Sequence, residues 1–136
     1  MNPGPGAGKP EIPAAVPGRI AVVGPCASGK SELVARLRAL GYDVRHCAQE
    51  HSYVPDMWQR LSRPQVLVYL DASLGAIGRR RKIDYGEAYL AEQRARLAHA
   101  RAHCQLYVHT DDLDPEGVLA VAVAGLRGLG VGLAAR

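Results

Sequence analysis

Arg19-Ile-Ala-Val-Val23, then Gly24-Pro-Cys-Ala-Ser-Gly29, then Lys30-Ser31: this run decides the fold. The first five residues are an apolar, β-branched stretch that reads as a buried strand. Ser31 to Leu40 follows with Leu33, Val34, Leu37 and Leu40 at helical spacing, and Gly41 stops it. Between strand and helix lies a complete G-x-x-x-x-G-K-[ST] pattern. Each of its parts has a mechanical task. Gly24 and Gly29 permit a tight turn and a close approach of backbone to anion. Pro25, Cys26, Ala27 and Ser28 lie between them, and the successive N–H groups that follow the proline form an anion-sized nest. Lys30 reaches β- and γ-phosphates, Ser31 offers a hydroxyl to Mg²⁺, and Glu32 opens the helix whose positive end faces the same anion. The expected ligand is a nucleoside triphosphate with Mg²⁺. A similar-looking stretch at Gly4 to Lys9 fails the same test: Pro3 and Pro10 replace the first glycine and the hydroxyl, and no strand precedes it.

Outward from this run, strands and helices alternate. A second strand is expected at 43–47 and a short helical turn at Pro55 to Ser62, started by Pro55. Val66-Leu-Val-Tyr-Leu70 is the clearest strand, ended by Asp71. Helices are expected over Ala72–Arg81 and Tyr85–His103, and a last strand over 104–109. Asp114-Pro115-Glu116 is a strong helix start, with a cap, a proline and an acid in the first turn; the helix runs to about Leu126. The pattern predicts an α/β fold: three layers, a parallel sheet of about four strands and helices on both faces. Right-handed crossovers favour the strand order 43–47, 19–24, 66–70, 104–109, which puts a switch point and its crevice at the glycine run.

The 136 residues make one domain. Residues 1–18 are dense in Pro, Gly and Ala and read as a flexible leader. The nucleotide-binding domain is assigned to 19–127, and 128–136, with three glycines, to a loose tail. Nothing approaches the roughly 20 apolar residues of a membrane span, and no apolar signal segment opens the chain. The three cysteines, Cys26, Cys47 and Cys104, form no C-x-x-C. They fit reduced thiols in a cytoplasm, with Cys47 and Cys104 as small core residues in strands. A net charge of +4 suits a polyanionic nucleotide. Without basic and aromatic residues interleaved, and with no Phe at all, a nucleic-acid ligand is not expected.

Three stretches resemble the small P-loop kinases, the nucleoside-monophosphate, shikimate and gluconate kinase group: Gly24 to Ser31, Val66 to Ser73, and Cys104 to Glu116. The resemblance implies a P-loop NTPase fold and transfer of a phosphoryl group from ATP to a small-molecule acceptor. The alternative is a nucleotide-dependent switch or slow NTPase acting through a protein partner. Phosphoryl transfer needs positioning, Mg²⁺ and charge neutralisation. Lys30 is the first catalytic candidate. Glu50, just past the second strand, is a candidate for Mg²⁺ or for the acceptor hydroxyl, and Asp71 is the competing Mg²⁺ ligand beside Ser31. Gln49-Glu-His-Ser-Tyr53 lies where an acceptor would sit, with His51 a candidate base and Trp58 either pocket wall or core. The basic run Arg79-Arg-Arg-Lys82 stands where such kinases carry lid arginines; Arg79 is the candidate for the transferring phosphate and Arg80 for the nucleotide. Thr110 and Asp111 follow the last strand, where relatives contact the base. His99 and His103, four apart on a helix, have the spacing to pair on a metal, but the default reading is two surface histidines.

Overall fold

The computed structural model describes residues 13–81 and 86–133; at 80 and 81 it describes the backbone alone. Four strands form one all-parallel sheet in the order β2-β1-β3-β4. They are β1 Val16–Val23, β2 Val44–His46, β3 Pro64–Asp71 and β4 Leu106–His109. The helices are α1 Lys30–Leu40, α2 Leu74–Arg81, α3 Glu87–Arg96, α4 Ala98–His103 and α5 Pro115–Gly128. A 3₁₀ turn spans Gln49–His51, and a π-helical turn spans Trp58–Ser62.

Strand periodicity of two divides the core into two layers. Ile20, Val22, Val66, Val68, Leu70 and Val108 face one side, where they meet Leu33, Val34 and Leu37 of α1 and Val118, Ala122 and Leu126 of α5. Ala21, Val23, Leu67 and Tyr69 face the other side, against Trp58, Leu97 and Ala100. Val66 to Leu70 are buried without interruption because β3 is a central strand covered on both faces. Each fully buried Leu or Ile contributes about 1.5–3 kcal/mol. Gly125 lets α5 lie directly on β4, since a Cβ there would stand 2.6 Å from the Leu106 side chain.

Helix ends follow their sequence signals. The Asp114 carboxylate accepts the Gly117 amide at 2.7 Å, and Pro115 occupies the first turn. Gly41 ends α1 in the left-handed region, while the Tyr42 amide donates back to Leu37 O at 3.1 Å.

Several boundaries differ from the sequence expectation. β1 begins at Val16 rather than Arg19, because the Val16 amide donates to Arg63 O and Val16 pairs with Pro64, with a register shift before Ile20. At the other end, α5 runs to Gly128 and Val131 is buried in the core, so packing continues past 127. The helix expected over 85–103 is divided at Leu97, whose amide shares the Gln93 and Arg94 carbonyls. Cys104 lies between α4 and β4, half-buried, rather than in a strand; Cys47 is buried just after β2. Tyr85, most of the expected leader and the last three residues lie outside the described residues. Among the described residues no helix is long and apolar enough to cross a membrane.

Candidate functional site

β1 ends at the sheet's carboxyl edge and runs into the loop 24–29. Positive φ occurs at Gly24 (155°), Ala27 (63°) and Gly29 (102°). Gly24 has no room for a side chain, since a Cβ would lie 2.2 Å from Leu70 O. Gly29 is the N-cap of α1 and supplies no side-chain acceptor to the amides of the first turn. Those donors therefore point outward from a helix of 11 residues.

The loop is clamped from two sides. On one side Thr110 Oγ1 lies 3.2 Å from both Ser28 O and Asp71 O, tying the loop to the ends of β3 and β4. On the other, Gln93 on α3 is fully buried; its Oε1 accepts the Cys26 amide at 3.0 Å and its Nε2 donates to Cys26 Sγ at 3.3 Å.

Lys30 turns back under the loop. Its ammonium donates to Gly24 O at 2.7 Å, Pro25 O at 3.1 Å and Glu50 Oε2 at 2.7 Å, so three protons meet three acceptors. Glu50 is 3% exposed and arrives on the 3₁₀ turn. Its second oxygen, Oε1, is buried without a hydrogen-bond partner among the described residues, as is Ser28 Oγ. The turn is pinned by Gln49. Its Nε2 donates to Val54 O at 2.8 Å and Arg96 O at 3.3 Å, while its Oε1 accepts the Trp58 amide at 2.8 Å.

Two cavities meet at Gly29 and Glu32. One, of about 400 Å³, is walled by Cys26, Ala27, Gly29, Lys30, Ser31, Glu32, His46 and Glu50. The other, of about 330 Å³, is more apolar and is walled by Ser28, Gly29, Glu32, Leu33, Thr110, Leu113, Pro115 and Val118. His46 enters the first cavity at the end of β2. Partial burial and then the Lys30 ammonium hold its imidazole below the ordinary 6.5, so it is neutral at pH 7.

The structure thus brings Lys30, Ser31, Glu32 and Glu50 to one cavity and Thr110 to the adjoining one. Other expected residues stand elsewhere. Asp71 is engaged on the far side: Oδ1 accepts the Ala72 amide at 2.9 Å and Arg94 at 3.1 Å, and Oδ2 accepts from the Tyr107 hydroxyl. Asp111 Oδ1 accepts the Ser73 amide at 2.8 Å, at the start of α2. Arg79 is exposed and its guanidinium lies back over Gly75 of its own helix. The Arg80 and Arg81 side chains and Lys82 lie outside the described residues. Trp58 is core: it is 4% exposed, and its Nε1 donates to His99 Nδ1 at 3.1 Å.

His46 and Gln93 were not singled out by the sequence pattern. His46 follows the strand alternation and could have been placed at a carboxyl-end position of β2, whereas nothing local marks Gln93. No family model matches the chain, and neither a curated protein nor a solved structure matches it.

Proposed function

We propose that the chain binds ATP with Mg²⁺ through residues 24–31 in a P-loop NTPase-type fold, and that it transfers the γ-phosphoryl group to a small-molecule acceptor. The observation that carries this is the junction of two unlike cavities at Gly29 and Glu32. One is polar, with a lysine, a hydroxyl and a carboxylate, and suits a polyphosphate. The other, with Leu33, Leu113 and Val118, suits a flat base. A nucleotide has that division of chemistry along its length.

The donors fit the cation as well. Ser31 and Glu50 wall one cavity, and Glu50 Oε1 is a buried oxygen without a donor among the described residues. A hydroxyl and a carboxylate are oxygen ligands of the kind a hydrated Mg²⁺ accepts. When bound, Mg²⁺ supplies neutralisation of the charge that develops on the transferred group. The amides of the loop and the first turn of α1 hold the phosphates in register. Lys30 exchanges its bond to Glu50 for one to the β- and γ-phosphates, toward which the ammonium turns when that anion is present. Glu50, released from that pair, then accepts a proton from the attacking hydroxyl.

The Lys30–Glu50 pair also supports the second reading, a nucleotide-dependent switch or slow NTPase. Phosphate that draws Lys30 away removes the tie between α1 and the turn Gln49–His51, so occupancy is felt at Glu50 while Gln49 still anchors the turn.

Titration calorimetry with MgATP, in the wild type and in Lys30→Ala, tests binding. Saturable binding lost in the variant is expected; equal affinity in both would overturn the site. ATP consumption with a panel of nucleosides, sugars and hydroxy acids separates the readings. Stimulation by one compound supports the transferase, and slow turnover indifferent to all of them supports the switch.

A further inference from the structure

We propose that Cys26, Glu50 and His51 form a site for one thiophilic divalent cation of the zinc class. Three donors of different chemistry converge there. Cys26 Sγ lies 3.3 Å from His51 Nε2 and 3.9 Å from Glu50 Oε2, and the two latter atoms are 3.8 Å apart. Zinc bonds to sulfur at about 2.3 Å and to nitrogen or oxygen at about 2.0–2.1 Å, so tetrahedral donors stand roughly 3.3–3.6 Å from one another. The triangle is therefore close to one face of a zinc tetrahedron before any cation arrives.

A second observation points the same way. Glu50 is 3% exposed, yet Oε1 has no hydrogen-bond partner among the described residues. An orphaned carboxylate oxygen in a buried place is a poor arrangement unless something positive meets it. Lys30 meets only Oε2. The triangle is closed by Oε2, which Lys30 also holds; the terminal torsion of glutamate is broad, so the carboxylate turns to leave Oε2 on Lys30 and bring Oε1 to the cation.

The surroundings hold the ligands in place. Gln93 grips Cys26 at its amide and at its sulfur, the kind of outer support that metal ligands have. Gln49 pins the turn that carries both Glu50 and His51. A thiolate with an imidazole and a carboxylate selects zinc-class ions against Mg²⁺ and Ca²⁺, which take oxygen. Binding releases the thiol proton, and three protein ligands leave a fourth position for water or another ligand. Filling the site would withhold Glu50 from the reacting hydroxyl. That consequence rests on the nucleotide reading, whereas the cation site does not.

The test uses the full chain without nucleotide and with Co²⁺ as the spectroscopic stand-in. Saturation at one equivalent is expected, with a thiolate-to-cobalt charge-transfer band that Zn²⁺ displaces. Cys26→Ser abolishes the band. His51→Ala weakens binding by at least about tenfold, the lower limit for loss of even an outer-shell partner. Cys104→Ser and His99→Ala leave band and affinity unchanged, which separates this site from the stacked His99–His103 pair. In the wild type, Zn²⁺ slows alkylation of Cys26 as read by peptide mass spectrometry, a measurement that needs no variant to fold. Absence of the band in large Co²⁺ excess, its survival in Cys26→Ser, or unprotected Cys26 each overturns the proposal.

Discussion

Lys30 and Glu50, 20 positions apart, form a buried ion pair with Nζ 2.7 Å from Oε2 and side chains only 6% and 4% exposed. The pair joins the first helix to the turn after β2, across the mouth of the sheet. Its geometry is supported by two loop carbonyls that take the remaining ammonium protons. Removing one member strands the other, largely buried, at the cavity wall. That loss typically amounts to about 3–5 kcal/mol, whereas replacing both partners with neutral groups of similar shape is often close to neutral. Urea unfolding should therefore show Lys30→Ala and Glu50→Gln each strongly destabilised. Lys30→Met/Glu50→Gln should be more stable than the sum of the single losses predicts. Strict additivity would mean that the two side chains do not act as a pair.

Thr110 makes a separate prediction. Its hydroxyl lies 3.2 Å from Ser28 O and 3.2 Å from Asp71 O while the residue is 1% exposed. Thr110→Val keeps the shape and removes the polar link, which takes the side-chain donor from the Ser28 carbonyl oxygen, while Asp71 O keeps the Thr110 amide at 2.8 Å. A loss of about 1–3 kcal/mol is expected. Because Ser28 belongs to the loop, anion affinity should fall as well. Thr110→Ser, which retains the hydroxyl, should recover most of both in denaturation and binding assays.

The sheet was legible because its evidence is local and repeated. β-branched runs, helical spacing and an Asp-Pro-Glu helix start survive in any context, and the order β2-β1-β3-β4 follows from handedness and alternation. The loop was legible because one contiguous motif carries it. The rest of the site is assembled from residues far apart in sequence. Gln93 reaches Cys26 over 67 positions and Thr110 reaches Ser28 over 82, with no periodicity to announce either. Asp71 shows the reverse case. A carboxylate at a strand end looks like a metal ligand, but Arg94 and Tyr107 arrive from other elements and occupy it. The ends of the chain misled for a related reason: Val16 and Val131 look like tail by composition, and partners beyond their own neighbourhood order them.

His46 should report on the cavity. Partial burial is the largest influence, followed by the Lys30 ammonium; Glu50 opposes and Arg38 adds to the lowering from 6.5. The folded pKa lies below the unfolded one, so the unfolded chain binds more protons near pH 6. The contribution of His46 to stability is thus complete above about pH 6.5 and declines as pH falls through that value toward the folded pKa. Inorganic triphosphate in the cavity adds negative charge and should raise the midpoint of the His46 ring resonance in an NMR titration. A midpoint indifferent to triphosphate would place the anion elsewhere.

Cys47 and Cys26 should differ in reactivity. Burial is the main influence that pushes the Cys47 thiol above its ordinary 9.0, and an attacking thiolate is then scarce at neutral pH. Cys26 is half-buried at the cavity wall. In metal-free protein, iodoacetamide at pH 7.5 should label Cys26 well before Cys47, with Cys47 reacting only as the chain unfolds. Equal rates for the two thiols would show that the region after β2 opens more readily than its packing implies.

The two glycines that bracket the loop should respond differently to the same change. At Gly24 a Cβ would stand 2.2 Å from the backbone oxygen of Leu70 and 2.9 Å from Ser28 Oγ. A main-chain carbonyl in a central strand cannot move aside, so Gly24→Ala must displace the loop itself. At Gly29 a Cβ would meet nothing within 4 Å, and only the positive φ of 102° opposes it. A left-handed residue with a side chain is strained by about 1–2 kcal/mol. Gly29→Ala should therefore fold with a modest loss of stability, whereas Gly24→Ala should lose anion binding and much of its cooperative unfolding. If the two variants unfold at the same urea concentration, the close approach of the loop to β3 is not what fixes its shape.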